Sequence, residues 1–183
     1  MELVQAILER RAVRHYQAKA VPDAVIERLI TLATHAPSAM NGQPWAFAVI
    51  NDRERIDEFA KLAKEFFLSH EEVPNTVRAM LNDEKPTIFH HAPALVLVLA
   101  RTDTEQARED CCLAAQTFML AARDAGLGTC WVGFGRPWLN RPETRALLKL
   151  PRGYRVIAPI VIGYPVEWPP VHGRAPPEIF WIK

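Results

Sequence analysis

The 183-residue sequence predicts an α+β domain in which helices surround a mixed central sheet. Two features point there. Ala94-Leu95-Val96-Leu97-Val98-Leu99-Ala100 is an apolar run without alternation, the pattern of a strand buried on both faces. Stripes at i, i+3, i+4 and i+7 spacing flank it and predict amphipathic helices that supply the cover. A proline-rich tail fits neither pattern.

Leu3, Val4, Ile7 and Leu8 lie at helical spacing in residues 2–11, with Glu2 favourable at the positive helix end. Residues 13–16 then read as extended. A second helix runs from about Pro22 to His35 on the stripe Ile26, Leu29, Ile30 and Ala33. Pro37 stops it, because a residue before proline is pushed out of helical geometry. Trp45 to Ile50 forms the first strand, and Asp52 caps a third helix with Ile56, Phe59, Ala60, Ala63 and Phe66 or Phe67 inward. Residues 69–90 break the regularity, with a short helix predicted between Asn75 and Asp83. The longest helix spans 104–125, with Cys111, Ala115, Phe118, Ala122 and Ala125 down one side and Gly126 as its C-cap. Its small residues predict close packing against another helix. Thr129 to Gly133 and Tyr154 to Tyr164 are further strands, with a short helix from Pro142 to Leu148 between them. Pro159 forbids one ladder bond, so a bulge or a sheet edge is expected there.

Composition is that of an ordinary globular chain, 49% apolar and 23% charged, and the length suits one domain over 1–183. A net charge of +1 sets up no general field for nucleic acid or an anionic membrane. Three cysteines make no disulfide framework, and six histidines show no metal-ligand spacing. With no leader-like N-terminus and no apolar stretch near the ~20 residues of a membrane span, the sequence reads as cytoplasmic.

Two stretches carry the chemistry. Arg10-Arg11-Ala12-Val13-Arg14 packs three guanidinium groups into five residues, which is costly unless an anion sits among them. The alternative is solvated pairing with Glu9 or Glu27. Ala36-Pro37-Ser38-Ala39-Met40-Asn41-Gly42-Gln43-Pro44-Trp45 is a stiff polar turn, its ends fixed by prolines and its donors and acceptors supplied by Ser38, Asn41 and Gln43. Together they suit a phosphate and a flat polar ring. No nucleophile–base set appears, so no catalytic side chain is assigned.

These stretches, in this order, resemble the FMN-dependent nitroreductase family. Gly126-Leu127-Gly128-Thr129-Cys130-Trp131-Val132-Gly133 resembles its helix-to-strand segment beside the flavin, and Gly163-Tyr164-Pro165 followed by Arg174 its closing strand and phosphate-binding arginine. The resemblance implies a nitroreductase-like fold with an extended C-terminal arm, residues 165–183, exchanged in a homodimer. It implies bound FMN, NAD(P)H as reductant, and ping-pong reduction of nitroaromatics, quinones or similar acceptors. Flavin-fragmenting or reductively dehalogenating enzymes share this fold, and a non-catalytic flavin-binding protein or a cofactor-free domain whose arginines bind an acidic partner are the remaining alternatives. By resemblance Arg10 and Arg174 bind the FMN phosphate, with Arg11 and the backbone of Ala12 nearby, and Arg14 lies at the flavin's pyrimidine edge. Pro37, Ser38, Ala39, Asn41 and Gln43 belong to the stretch expected to reach the flavin across the dimer interface. A backbone N–H near Val132 and Gly133 meets the hydride-accepting nitrogen. Residues 69–90 correspond to the variable segment over the flavin face, a substrate lid. The sequence departs from the family where Ala12 replaces a frequent serine and His172 a frequent lysine.

The tail supports the arm by itself. Five prolines lie between Pro165 and Pro177, and an extended chain of that length reaches roughly 40 Å. It ends in Ile179-Phe180-Trp181-Ile182, too apolar to stay in water.

Overall fold

In a computed structural model, which describes residues 1–70, 73, 78–79, 81 and 87–183, four strands form one sheet in the order β1-β2-β4-β3. The strands are β1 (Trp45–Ile50), β2 (Ala94–Ala100), β3 (Gly128–Trp131) and β4 (Arg155–Gly163). All three strand pairs are antiparallel. The parallel component of the expected mixed sheet is confined to a bridge between Ala12 and Thr129 outside the named strands.

Every residue of β2 is buried, as its unbroken apolar run requires. Its side chains alternate between two cores. Ala94, Val96, Val98 and Ala100 face one that also holds Ile26, Leu29 and Phe118. Leu95, Leu97 and Leu99 face the other, with Ile56, Phe59 and Phe89. The first core is covered by α2 (Asp23–Ala33) and α4 (Glu105–Asp124), and the second by α3 (Arg53–His70). The small residues of α4 (Ala107, Ala114, Ala115 and Ala122) are buried in the core it shares with α2, the close approach the sequence implied. Ala125 lies beyond that face and is exposed.

Helix ends follow their local chemistry. The Thr104 hydroxyl accepts from the Ala107 N–H, capping α4, and Asp52 accepts from Arg55 N–H at 3.1 Å ahead of α3. Gly126 takes φ +75 at the far end of α4, where glycine carries no Cβ penalty. The bulge expected beside Pro159 is present: Val98 pairs with Ala158 but Leu99 with Val156, leaving Ile157 extra. Because β4 is an inner strand, the bulge and not an edge position accommodates this irregularity.

α1 (Leu3–Glu9) is shorter than the sequence pattern suggested, and Arg10 lies just past its end with extended backbone. Its apolar stripe is uncovered. Leu3, Val4, Ile7 and Leu8 are all exposed, and only Ala6 is buried. Of the short helix expected between Asn75 and Asp83 only Arg78, Ala79 and Leu81 are described, each with helical backbone; the rest of it, like most of the lid segment, lies outside the described residues. Two short helices, α5 (Arg136–Leu139) and α6 (Pro142–Leu147), lead into β4. Among the described residues no helix is long and apolar enough to cross a membrane.

The arginine-rich segment is pinned to the sheet at Gly128. Val13 N–H donates to the Thr129 carbonyl at 3.0 Å, and a Cβ at Gly128 would sit 2.6 Å from Val13 Cγ2. We expect Gly128→Ala to cost about 1–3 kcal/mol, the range of core overpacking. Val13→Ala, which removes two of the three clashing atoms, should recover part of that loss, so urea unfolding of the double variant should show less than the summed destabilisation.

Candidate flavin site

A cavity of about 970 Å³ opens where β3 ends. Cys130, Trp131, Val132, Gly133 and Phe134 form one side. Arg14, His15 and Tyr16 approach from the segment pinned at Gly128, while Thr87, Ile88, His90 and His91 descend from the turn before β2. Arg53, at the start of α3, stands on the remaining wall with Leu81.

Beside this cavity the arginines crowd together. The Arg10 guanidinium is half-buried and is held below its ordinary basicity by burial, then by Arg11 and Arg174. Arg174 therefore comes near Arg10 although nearly 165 positions separate them in the chain. Among the described residues no carboxylate pairs with Arg10, so the Glu9 pairing considered from sequence is not made. Glu9 instead accepts from Arg123 at 2.6 Å. Arg11 spends its donors on carbonyls, Nη1 on Leu8 and Arg10 and Nε on Pro170 at 3.4 Å. It ties the end of α1 to the root of the arm.

That root is fixed. Tyr16 bridges Pro165, Val166 N–H donates to the His15 carbonyl at 3.0 Å, and Arg123 lies 3.6 Å from the Trp168 ring centroid. From Pro170 to Lys183 every residue is exposed, including Ile179, Phe180, Trp181 and Ile182. His172 is exposed two positions before Arg174.

Two of the remaining expected residues stand on the cavity itself. Val132 N–H is taken by the Pro159 carbonyl at 2.8 Å, whereas the Gly133 N–H has no partner among the described residues. Nothing lies within 4 Å of a Cβ built on Gly133, so a flat ring can approach its backbone. Ala12 is engaged in its bridge to Thr129. The turn carrying Pro37, Ser38, Ala39, Asn41 and Gln43 is elsewhere and does not line the cavity of its own chain. It folds on itself, with Gln43 N–H donating to the Ser38 hydroxyl at 3.0 Å and Gln43 Nε2 to Asn41 Oδ1 at 3.1 Å. Met40, Asn41 and Gln43 have positive φ, and Met40 is fully exposed. Asp110, buried on α4, accepts from the Ala39 N–H at 3.2 Å and anchors the turn.

Three features escaped sequence reasoning. Arg53 was hidden as one charge among several at a helix start. Asp110 was hidden beside two cysteines in a stripe of small residues, where a lone acid was the available signal. His90 and His91 read only as residues preceding a strand. Both take positive φ (55° and 49°), which is costly outside glycine and concentrates at functional sites. Thr87 holds this turn, its carbonyl accepting from His90 N–H and its hydroxyl from His91 N–H, each at 3.2 Å. Among the described residues no group of three His, Cys, Asp or Glu side chains could hold a metal ion.

The fold and cavity define an α+β protein that gathers arginines around a ligand site at the end of an inner sheet. Residues 7–164 match the nitroreductase family, and the chain belongs to it. It is 30% identical over 174 residues, 92% of this chain and 80% of the other, to a Methanothermobacter thermautotrophicus protein provisionally named NADH dehydrogenase/NAD(P)H nitroreductase. It is 27% identical over 173 residues to an iodotyrosine deiodinase of Thermotoga neapolitana, covering 91% and 90% of the two chains. The nitroreductase of Bacteroides fragilis, solved with bound FMN, superposes over the full length of both chains with a TM-score of 0.85 at 25% identity.

His90 makes stability depend on pH. Burial first, then Arg14, His15 and His91, lower its pKa from 6.5 to about 4. Between those values the unfolded chain binds a proton that the folded chain refuses. The His90 contribution is therefore complete above about pH 6.5 and is lost as pH falls towards 4. Allowing for solvent screening at this partly exposed ring, the loss is on the order of 2 kcal/mol. His90→Asn, which tolerates positive φ, should flatten this part of the pH profile in urea unfolding measurements.

Proposed function

We propose that the protein is an FMN-dependent NAD(P)H oxidoreductase that reduces nitroaromatics, quinones or similar electron-poor acceptors by ping-pong turnover. The observation carrying this reading is the half-buried Arg10, pressed by Arg11 and Arg174 beside a ring-sized cavity. Cations brought together against their own repulsion fit a phosphate, which carries about −1.5 to −2 charge and takes guanidinium groups in bidentate geometry.

The cavity residues fit the rest of FMN. Arg14 would hold the pyrimidine edge, where a cation stabilises negative charge on the reduced ring, and the Gly133 N–H, which has no partner among the described residues, would donate to the ring nitrogen that accepts hydride. Trp131 and Phe134 keep water from the ring's surroundings. When bound, FMN supplies the redox chemistry, taking two electrons and a proton from reduced nicotinamide and passing them to the acceptor. The protein orients the partners and tunes the charge around them.

The active form is a homodimer with two sites. The bare apolar end of the arm and the exposed stripe of α1 support this reading, as does the self-bonded turn 38–43, which projects from its own chain. Across the interface Ser38, Ala39 and Asn41 complete the partner's flavin site, and Pro37 and Gln43 hold that turn in shape. Arg174 returns to the phosphate with His172 beside it, in the position where relatives carry lysine.

Purified protein should be yellow, and anaerobic NADH or NADPH should bleach it, with a quinone or nitroaromatic restoring the colour. Stable colour under excess reductant would instead identify a flavin carrier. Arg10→Ala and Arg174→Ala should each weaken FMN binding by roughly 1.5–3 kcal/mol, the scale of hydrogen bonds to a charged group. Wild-type affinity in an FMN titration of both variants would remove these residues from the site.

Deleting residues 165–183 should remove Arg174 and the apolar tip together, leaving colourless monomers or aggregates. A truncated chain that stays dimeric, soluble and yellow in size-exclusion chromatography would refute the arm's role.

A further inference from the structure

The cavity carries more positive charge than a flavin ring uses. Arg14 and Arg53 line it, and among the described residues no carboxylate does. Arg10 and Arg174, the phosphate cluster, are not among its lining residues. Arg14 reaches the Cys130 thiol on the β3 side. Arg53 stands apart from both groups.

Arg53 makes no ion pair or hydrogen bond among the described residues. Its natural partner would be Asp57, one turn further along α3. Asp57 is instead engaged by His91, with Nδ1 2.9 Å from Oδ1. The left-handed backbone at His90 and His91, bound to Thr87, holds this arrangement in place. Arg53 is thus left without a partner among the described residues, in a cavity whose lining also includes the apolar Leu81, Ile88 and Phe134. Such a surface pairs one cation with room for a flat hydrophobic body.

We propose that Arg53 recognises an anionic group, a carboxylate or a phosphate, on the ligand that shares this cavity with the flavin. The proposal rests on the oxidoreductase reading for the identity of that ligand. The anion has two sources: an aromatic acceptor bearing a carboxylate, or the extra phosphate that distinguishes NADPH from NADH. Guanidinium suits both, since its planar donors match carboxylate and phosphate oxygens.

The test compares wild type, Arg53→Gln and Arg53→Lys as FMN-loaded proteins. Calorimetric titration with 4-nitrobenzoate and with 4-nitrobenzyl alcohol reads charge recognition without turnover. KM values for the same pair, and for NADPH against NADH, read it during turnover. Arg53→Gln should weaken the charged member of one pair about two- to fivefold relative to its neutral or less charged counterpart, as expected for a solvent-accessible ion pair. Arg53→Lys should retain most of the discrimination. A change confined to the nitro compounds assigns the site to the acceptor, and one confined to the nucleotides assigns it to the NADPH phosphate. Equal shifts in both members of both pairs, or none, would overturn the proposal. Absence of bleaching by NAD(P)H would instead overturn the oxidoreductase reading, while the calorimetric arm would still report on Arg53.

Discussion

A strand that exposes no side chain must be covered on both faces, and β2 imposes that demand on everything around it. Seven consecutive buried residues divide the interior into two cores. Burying each leucine or valine there contributes about 1.5–3 kcal/mol relative to leaving it in water. The covering helices follow: α2 and α4 on one face, α3 on the other. β4 pairs with β2 through a bulge at Ile157, with Pro159 in register opposite Leu97. The bulge also turns Val156 towards the second core, where Asn140 bonds its N–H and carbonyl, each at 2.9 Å. One asparagine side chain thus does locally what a neighbouring strand would do.

The candidate site grows from the edge of this arrangement. β3 is short, and its end delivers Trp131, Val132 and Gly133 to the cavity. The segment through Val13 can lie against it only because Gly128 lacks a side chain. That contact sets Arg10 beside Arg11 and Arg174, and Arg14 on the cavity. Charge is concentrated here in a chain that is nearly neutral overall.

Strong local patterns made much of this legible in the sequence. β1 and β2 were readable residue by residue, because apolar runs of that length bounded by turn residues leave few alternatives. The Asp52 cap, the Gly126 stop and the irregularity at Pro159 follow from backbone chemistry that needs no tertiary information. The arginine cluster was legible as a contradiction, since like charges do not crowd without reason. Other features depend on contacts between distant residues. Nothing near Leu3, Val4, Ile7 and Leu8 says that their stripe is uncovered. Nothing around Asp110 says that it holds Ala39, 71 positions away. The left-handed backbone at His90 and His91 and the pairing of His91 with Asp57 likewise appear only when separate segments meet. A helix stripe announces its own periodicity but not its partner.

The fastening of the arm has a further consequence. Trp168 lies under Arg123, and Pro170 accepts from Arg11, so the tether between the fold and Arg174 is only four residues long. A flexible chain of that length spans about 10–12 Å. Its guanidinium is therefore confined near Arg10 at an effective concentration in the millimolar range or above, whatever the amount of protein in solution. The approach of Arg174 to Arg10 is thus an intramolecular event with most of its entropy already spent. The same leash makes the site report on the arm, because any force that breaks the Pro170–Arg11 contact lengthens the tether back to Trp168 and dilutes the charge it carries.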